Sequence, residues 1–178
     1  MSFRWIGRPV VPLRNPRKLA AFAVSLLVLG GCGGGGAPAL KIVEGSDYHF
    51  NAPADWRVVR TERAVEASKA LQLVSVTRFP LLRRYRPDLW VRVVPELDRA
   101  ATQLAQQQKG EVSDSRTVMI AGQQARRYDI EYERDGKALV ERIAFVLRGK
   151  TEYLLLCRYD RGGDTRACDR LLATFTLG

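Results

Sequence analysis

At 178 residues, with 46% hydrophobic and 8% aromatic content, the chain has the composition of a folded protein and not of a disordered one. Its formal charge of +10 is concentrated at one end: setting aside Arg4, Arg8, Arg14, Arg17 and Lys18 leaves 24 Lys and Arg against 19 Asp and Glu, a formal +5. So mild and scattered a balance argues against a nucleic-acid partner.

The five N-terminal cations, with no acid among them, precede an apolar run from Leu19 to Leu29. Eleven residues are too few for a bilayer core of about 30 Å, which takes roughly 20 apolar residues, so residues 1–31 read as a cleaved signal peptide. No twin-arginine pair precedes the run, which favours general secretion. The run ends in Leu29-Gly30-Gly31-Cys32, which resembles the lipobox of bacterial lipoproteins. The resemblance implies that the Cys32 thiol carries a diacylglyceryl group, anchoring the mature protein to the cell membrane with its domain on the extracytoplasmic side. An ordinary secretory signal, or a short membrane anchor, is the alternative. Gly33 to Gly36 and Ala37-Pro38-Ala39 cannot hold regular structure, so residues 32–44 are expected to be a flexible tether spanning on the order of 20 Å. Residues 45–178 remain for one globular domain.

Asp47 to Asn51 is a short strand candidate, interrupted by Pro53 and resumed at Trp56 to Arg60 as a hairpin or bulged strand. Leu71 to Phe79 carries apolar residues on both faces, as a central strand does. Pro80 to Pro87 breaks the pattern, and Asp88 to Val94 is expected to be extended. Pro95 then suits a first helical turn, with Leu97, Ala100, Ala101 and Leu104 at i, i+3, i+4, i+7 and Gly110 as the C-cap glycine.

Thr117 to Ile120, the turn Ala121-Gly122 and the alternation of Tyr128, Ile130 and Tyr132 with Arg127, Asp129, Glu131 and Glu133 begin a meander with one wet face. A two-residue turn at Asp135-Gly136 sets Tyr132 opposite Leu139, Asp129 opposite Arg142 and Tyr128 opposite Ile143. Its misfit is Glu141, opposite Ile130 on the apolar side. After a turn at Gly149-Lys150, Tyr153, Leu155, Cys157 and Tyr159 face one way. Asp164 then caps a last helix whose apolar stripe is Cys168, Leu171, Leu172 and Phe175. Periodicity thus puts Cys157 and Cys168 on facing apolar surfaces, and in an oxidising compartment they are expected to form a disulfide; two buried free thiols are the alternative.

Catalytic chemistry is weakly supported. His49 is the single histidine and reads as an ordinary strand residue. The acids Asp129, Glu131 and Glu133 share a face with Arg127 and Arg142, as a solvated charged face does. No metal or cofactor set is expected, and the glycine run has neither the preceding strand nor the Lys-Ser/Thr of a phosphate loop.

Phe50-x-x-Pro53-x-x-Trp56, Gly122-x-x-Ala125-x-x-Tyr128, Gly149 with Tyr153-x-Leu155, and a closing helix into Phe175 together resemble the PsbP-like superfamily. The lipobox and late cysteine pair are similar to its actinobacterial LpqN-like lipoproteins. The resemblance implies an α+β fold, an antiparallel sheet flanked by helices in an α/β/α sandwich, and a non-catalytic binding or assembly role at the cell envelope. An envelope hydrolase, or a carrier of a small apolar or lipidic ligand, is the alternative. The segment Arg83-Arg84-Tyr85-Arg86-Pro87-Asp88-Leu89-Trp90-Val91-Arg92 interleaves cations with aromatics. It reads either as a solvated loop whose Trp90 packs inward, or as a contact for an envelope protein or anionic or lipidic ligand, with Arg83, Arg84 and Arg86 supplying attraction, Tyr85 aromatic area and Trp90 the anchor.

Overall fold

The computed structural model describes residues 39–178; the expected signal peptide, Cys32 and the glycine run lie outside the described residues. Ten strands and two helices follow in the order β1 (Leu40–Glu44), β2 (Tyr48–Pro53), β3 (Arg57–Arg60), β4 (Ala64–Lys69), β5 (Gln72–Pro80), α1 (Trp90–Gln107), β6 (Glu111–Ile120), β7 (Gln123–Arg134), β8 (Lys137–Arg148), β9 (Thr151–Asp160), α2 (Arg166–Thr174) and β10 (Thr176–Leu177). β1 occupies the last five residues assigned to the tether, so the folded part starts at Leu40 and not at residue 45.

Seven strands form an antiparallel sheet in the order β3-β4-β5-β9-β8-β7-β6, and β1-β2-β10 form a separate small sheet. Alternation along the central strands serves two cores. On one face, Leu139, Ile143, Phe145 and Leu154 pack with Leu97, Ala100, Ala101 and Ala105 of α1. On the other, Val140, Ala144, Val146, Leu155 and Cys157 pack with Phe50 and Ala52 of β2 and with Cys168 and Leu171 of α2. Tyr48, Tyr153 and Phe175 fill this second core with ring centroids 5.8–5.9 Å apart. The α+β expectation holds, with a small sheet sharing the α2 layer.

The β7–β8 hairpin has the expected register: Tyr132 opposite Leu139, Asp129 opposite Arg142, Tyr128 opposite Ile143 and Glu141 opposite Ile130. β5 is an interior strand, as its two apolar faces suggest. Three local expectations fail for identifiable reasons. β2 and β3 are not a hairpin, because β1 and β10 take both edges of β2. The chain instead turns at Pro53–Trp56 into the large sheet, with Lys41 Nζ donating to the Ala54 and Trp56 carbonyls. Asp88 to Val94 is not extended: a 3-10 turn at Pro87–Leu89 leads into α1 at Trp90, and burial of Trp90 and Val93 outweighs the penalty of Pro95 at the sixth helical position. Finally, the left-handed residue closing α1 is Lys109 (φ 56°), while Gly110 donates to the Ala105 carbonyl in a Schellman arrangement. Gly110 is needed for closeness, since a Cβ there would collide with the Glu131 carbonyl oxygen and Tyr132 Cβ.

Candidate binding surface

Pro80 ends β5, and the following segment is pinned to the β8–β9 turn by the Leu81 N–H on the Lys150 carbonyl (2.8 Å) and the Tyr85 N–H on the Gly149 carbonyl (2.7 Å). Tyr85 and Trp90 both turn inward to the α1-side core, each 9% exposed, so Trp90 is a core residue and not a surface anchor. Burial, with the nearby Asp88 charge second, pushes the Tyr85 phenol upward. Turning the two aromatics inward leaves Arg83, Arg84 and Arg86 on the outside, Arg86 paired with Asp88 at 2.7 Å. It also leaves two aliphatic side chains in water, Leu82 at 67% and Val91 at 81% exposure, beside Arg92. The sequence reading missed both; the signal for Val91 is its place off the helical stripe of Trp90, Val93 and Leu97.

A hollow of about 320 Å³ opens at the same end of the sheet, lined by Glu44, Ser46, Tyr48, Arg60, Glu62, Arg63 and Arg78. Arg78 lies opposite Tyr153, two residues along β5 from Pro80, and its guanidinium reaches Asp47 at 3.0 Å. Tyr48 donates to the Val76 carbonyl, and burial pushes its phenol up to about 12. These walls are charged, unlike those of an apolar carrier cavity.

Of the three acids on that face, Asp129 and Glu131 are bound to arginines, and Glu133 is exposed. Arg142 donates from Nε and Nη2 to the two Asp129 oxygens, both at 2.9 Å, and from Nη1 to Asp169 of α2 at 3.1 Å. Arg127, buried in β7, pairs with Asp114 of β6. Glu131 pairs with Arg161 at 3.1 Å. Asp129 and Arg142 keep only 14% and 13% of their side chains exposed, so the expectation of a solvated face fails there, where α2 brings Asp169 over it. The side-chain bonds to Asp129, opposed by burial, hold the Arg142 guanidinium firmly protonated.

The misfit Glu141 is 3% exposed and fully engaged. It accepts from Arg158 Nε and Nη2 at 2.9 and 2.7 Å, from the Tyr132 hydroxyl at 3.0 Å, and from the Gln108 amide at the end of α1. Burial first, then the Glu141 charge, raises Tyr132 to about 12. His49 sits exposed on β2 with Thr176 Oγ1 at 2.8 Å. Cys157 of β9 and Cys168 of α2 form the disulfide, with Cα atoms 5.4 Å apart.

No family model matches the chain, and no curated protein matches it by sequence. Solved structures do. A protein from Bacteroides thetaiotaomicron VPI-5482 superposes with a TM-score of 0.57 at 14% identity; the match covers 79% of this chain and 48% of that one, so this chain spans about half of that protein's length. The mycobacterial protein LpqN, described as involved in cell envelope biogenesis of Mycobacterium tuberculosis, superposes at a TM-score of 0.35 and 10% identity, over 82% of this chain and 87% of LpqN. Cyanobacterial PsbP (CyanoP) from Synechocystis sp. PCC 6803 superposes at 0.57 and 15% identity, over 84% of this chain and 99% of that one. With antiparallel sheets, α1 and α2 on opposite faces of the larger, and this superposition on PsbP, the fold is PsbP-like α+β.

Proposed function

We propose that the protein is a membrane-anchored, exported binding or assembly module without catalytic activity, held at the outer face of the cytoplasmic membrane by lipid on Cys32. The anchor rests on one sequence observation: a basic flank, an eleven-residue apolar run and Leu29-Gly30-Gly31-Cys32 in that order. The disulfide between Cys157 and Cys168 is in keeping with an oxidising compartment. The non-catalytic reading is supported by the engagement of the carboxylates. Asp129, Glu131 and Glu141 are each held by a guanidinium, which occupies the oxygens a general acid or base would need free.

The test is fractionation of cells producing the wild type or Cys32→Ser. The wild type should sediment with membranes and resist extraction by high salt; Cys32→Ser should accumulate as uncleaved precursor or as soluble protein. A wild type that is soluble after cell lysis would overturn the anchored reading.

A further inference from the structure

The inward turn of Tyr85 and Trp90 changes what the arginine-rich segment can contact. Aromatic area, the usual anchor of a protein–protein hot spot, is withdrawn into the α1-side core. What remains outside is aliphatic and cationic: Leu82 and Val91 among Arg83, Arg84, Arg86 and Arg92. The acids beside them are few, with Asp88 bound to Arg86 and Glu96 bound to Arg99. The neighbouring β8–β9 turn adds exposed Arg148 and Lys150, and Arg148 donates to the carbonyl of Gly178. The hydrogen bonds of Leu81 and Tyr85 to that turn hold the cations of the two segments on one end of the domain.

Exposed Leu and Val cost little in water singly, yet set among arginines they have the chemistry of a surface that rests on a bilayer. Aliphatic tips enter the boundary between headgroups and acyl chains, while guanidinium groups on long stems stay at the level of the phosphates. We infer that residues 82–92, with the β8–β9 turn, form a docking surface for an anionic phospholipid bilayer, independent of the lipid on Cys32. The charge of the patch selects this occupant: its cations outnumber its acids, and a bilayer bearing anionic headgroups presents the complementary potential over the whole area. If the anchored reading holds, this second contact orients the domain on its membrane; if Cys32 carries no lipid, the surface still stands.

Hydrogen–deuterium exchange on the full chain separates the two. The protein is bound to vesicles of phosphatidylcholine alone, or of phosphatidylcholine with phosphatidylglycerol, so that any contribution of the N-terminal segment or its lipid is common to both. Amides of residues 81–92 should exchange more slowly on the anionic vesicles only, and raising the salt should abolish the difference. Losing three such cations weakens headgroup attraction by on the order of a hundredfold at low salt. In the triple variant Arg83→Ser, Arg84→Ser, Arg86→Ser, exchange of the segment should therefore revert to its rate on neutral vesicles. Unchanged exchange in β8 and β9 shows that the variant is folded. A double variant, Leu82→Ser with Val91→Ser, should lose part of the protection while keeping its salt dependence. Equal exchange of residues 81–92 on the two vesicle types would overturn the proposal. So would protection that appears only when an acidic protein replaces the vesicles.

Discussion

Replacing Glu141 by Met should be among the most damaging single changes in the second half of the chain, although it puts an apolar side chain on an apolar face. Glu141 is 3% exposed on β8, and Arg158, directly opposite on β9, keeps 18% of its side chain in water. Removing the carboxylate strands the Arg158 charge and takes an acceptor from Tyr132 and Gln108. Breaking a buried pair costs about 3–5 kcal/mol, and the partial exposure of Arg158 puts the expectation near the lower end, about 3 kcal/mol. Replacing both partners, Glu141→Met with Arg158→Met, removes the stranded charge along with the pair, and the double variant should be destabilised by only about 1 kcal/mol. Urea unfolding of residues 39–178 with the disulfide intact gives all four corners of the cycle. The reasoning is refuted if Glu141→Met alone costs less than about 1 kcal/mol, or if the double variant is as unstable as the sum of the singles.

Pro95→Ala should stabilise α1 by about 1–2 kcal/mol, because it restores an N–H in the helix interior; a loss of stability on urea unfolding would contradict that assignment. Reducing the Cys157–Cys168 bridge, whose partners are 11 residues apart, should cost roughly 2.8 kcal/mol, read as a lowered urea midpoint in dithiothreitol. Tyr48 and Tyr132 are raised from 10 to about 12 in the folded state, so their contribution is complete below pH 10 and is lost as pH climbs toward 12. Stability should fall by on the order of 1–2 kcal/mol per tyrosine across that window, and Tyr132→Phe should flatten the fall; a flat profile from pH 10 to 12 would count against both burials.

The second half of the fold was legible because local signals agreed there. Asp135-Gly136 fixed a two-residue turn, and with the turn came the pairing of every residue from Tyr128 to Ile143. The facing of Cys157 and Cys168 followed from counting by two along a strand and by three and four along a helix. Glu141 showed as an exception, but its partners could not be read: Arg158 lies across β9, and Gln108 comes from the end of α1. The first half was less legible because its pairings are long-range. β2 looked like the start of a hairpin with β3, yet its second edge is taken by β10, more than 120 residues later in the chain. Pro95 gave a helix-start signal that tertiary burial of Trp90 and Val93 overrode, moving the start of α1 five residues earlier. The arginine segment leaves two readings of Trp90 open in the sequence, and its burial against α1 selects the inward one. Interleaved Arg and aromatic residues announce an amphipathic stretch, but which side faces the core depends on where α1 docks.

The most direct test of the anchored binding module is the intact mass of the protein recovered from the membrane fraction, with fragmentation of its N-terminal peptide. The account predicts a chain that begins at Cys32 and carries a diacylglyceryl group on that sulfur. A chain that retains residues 1–31, or one whose Cys32 thiol is unmodified, would contradict it.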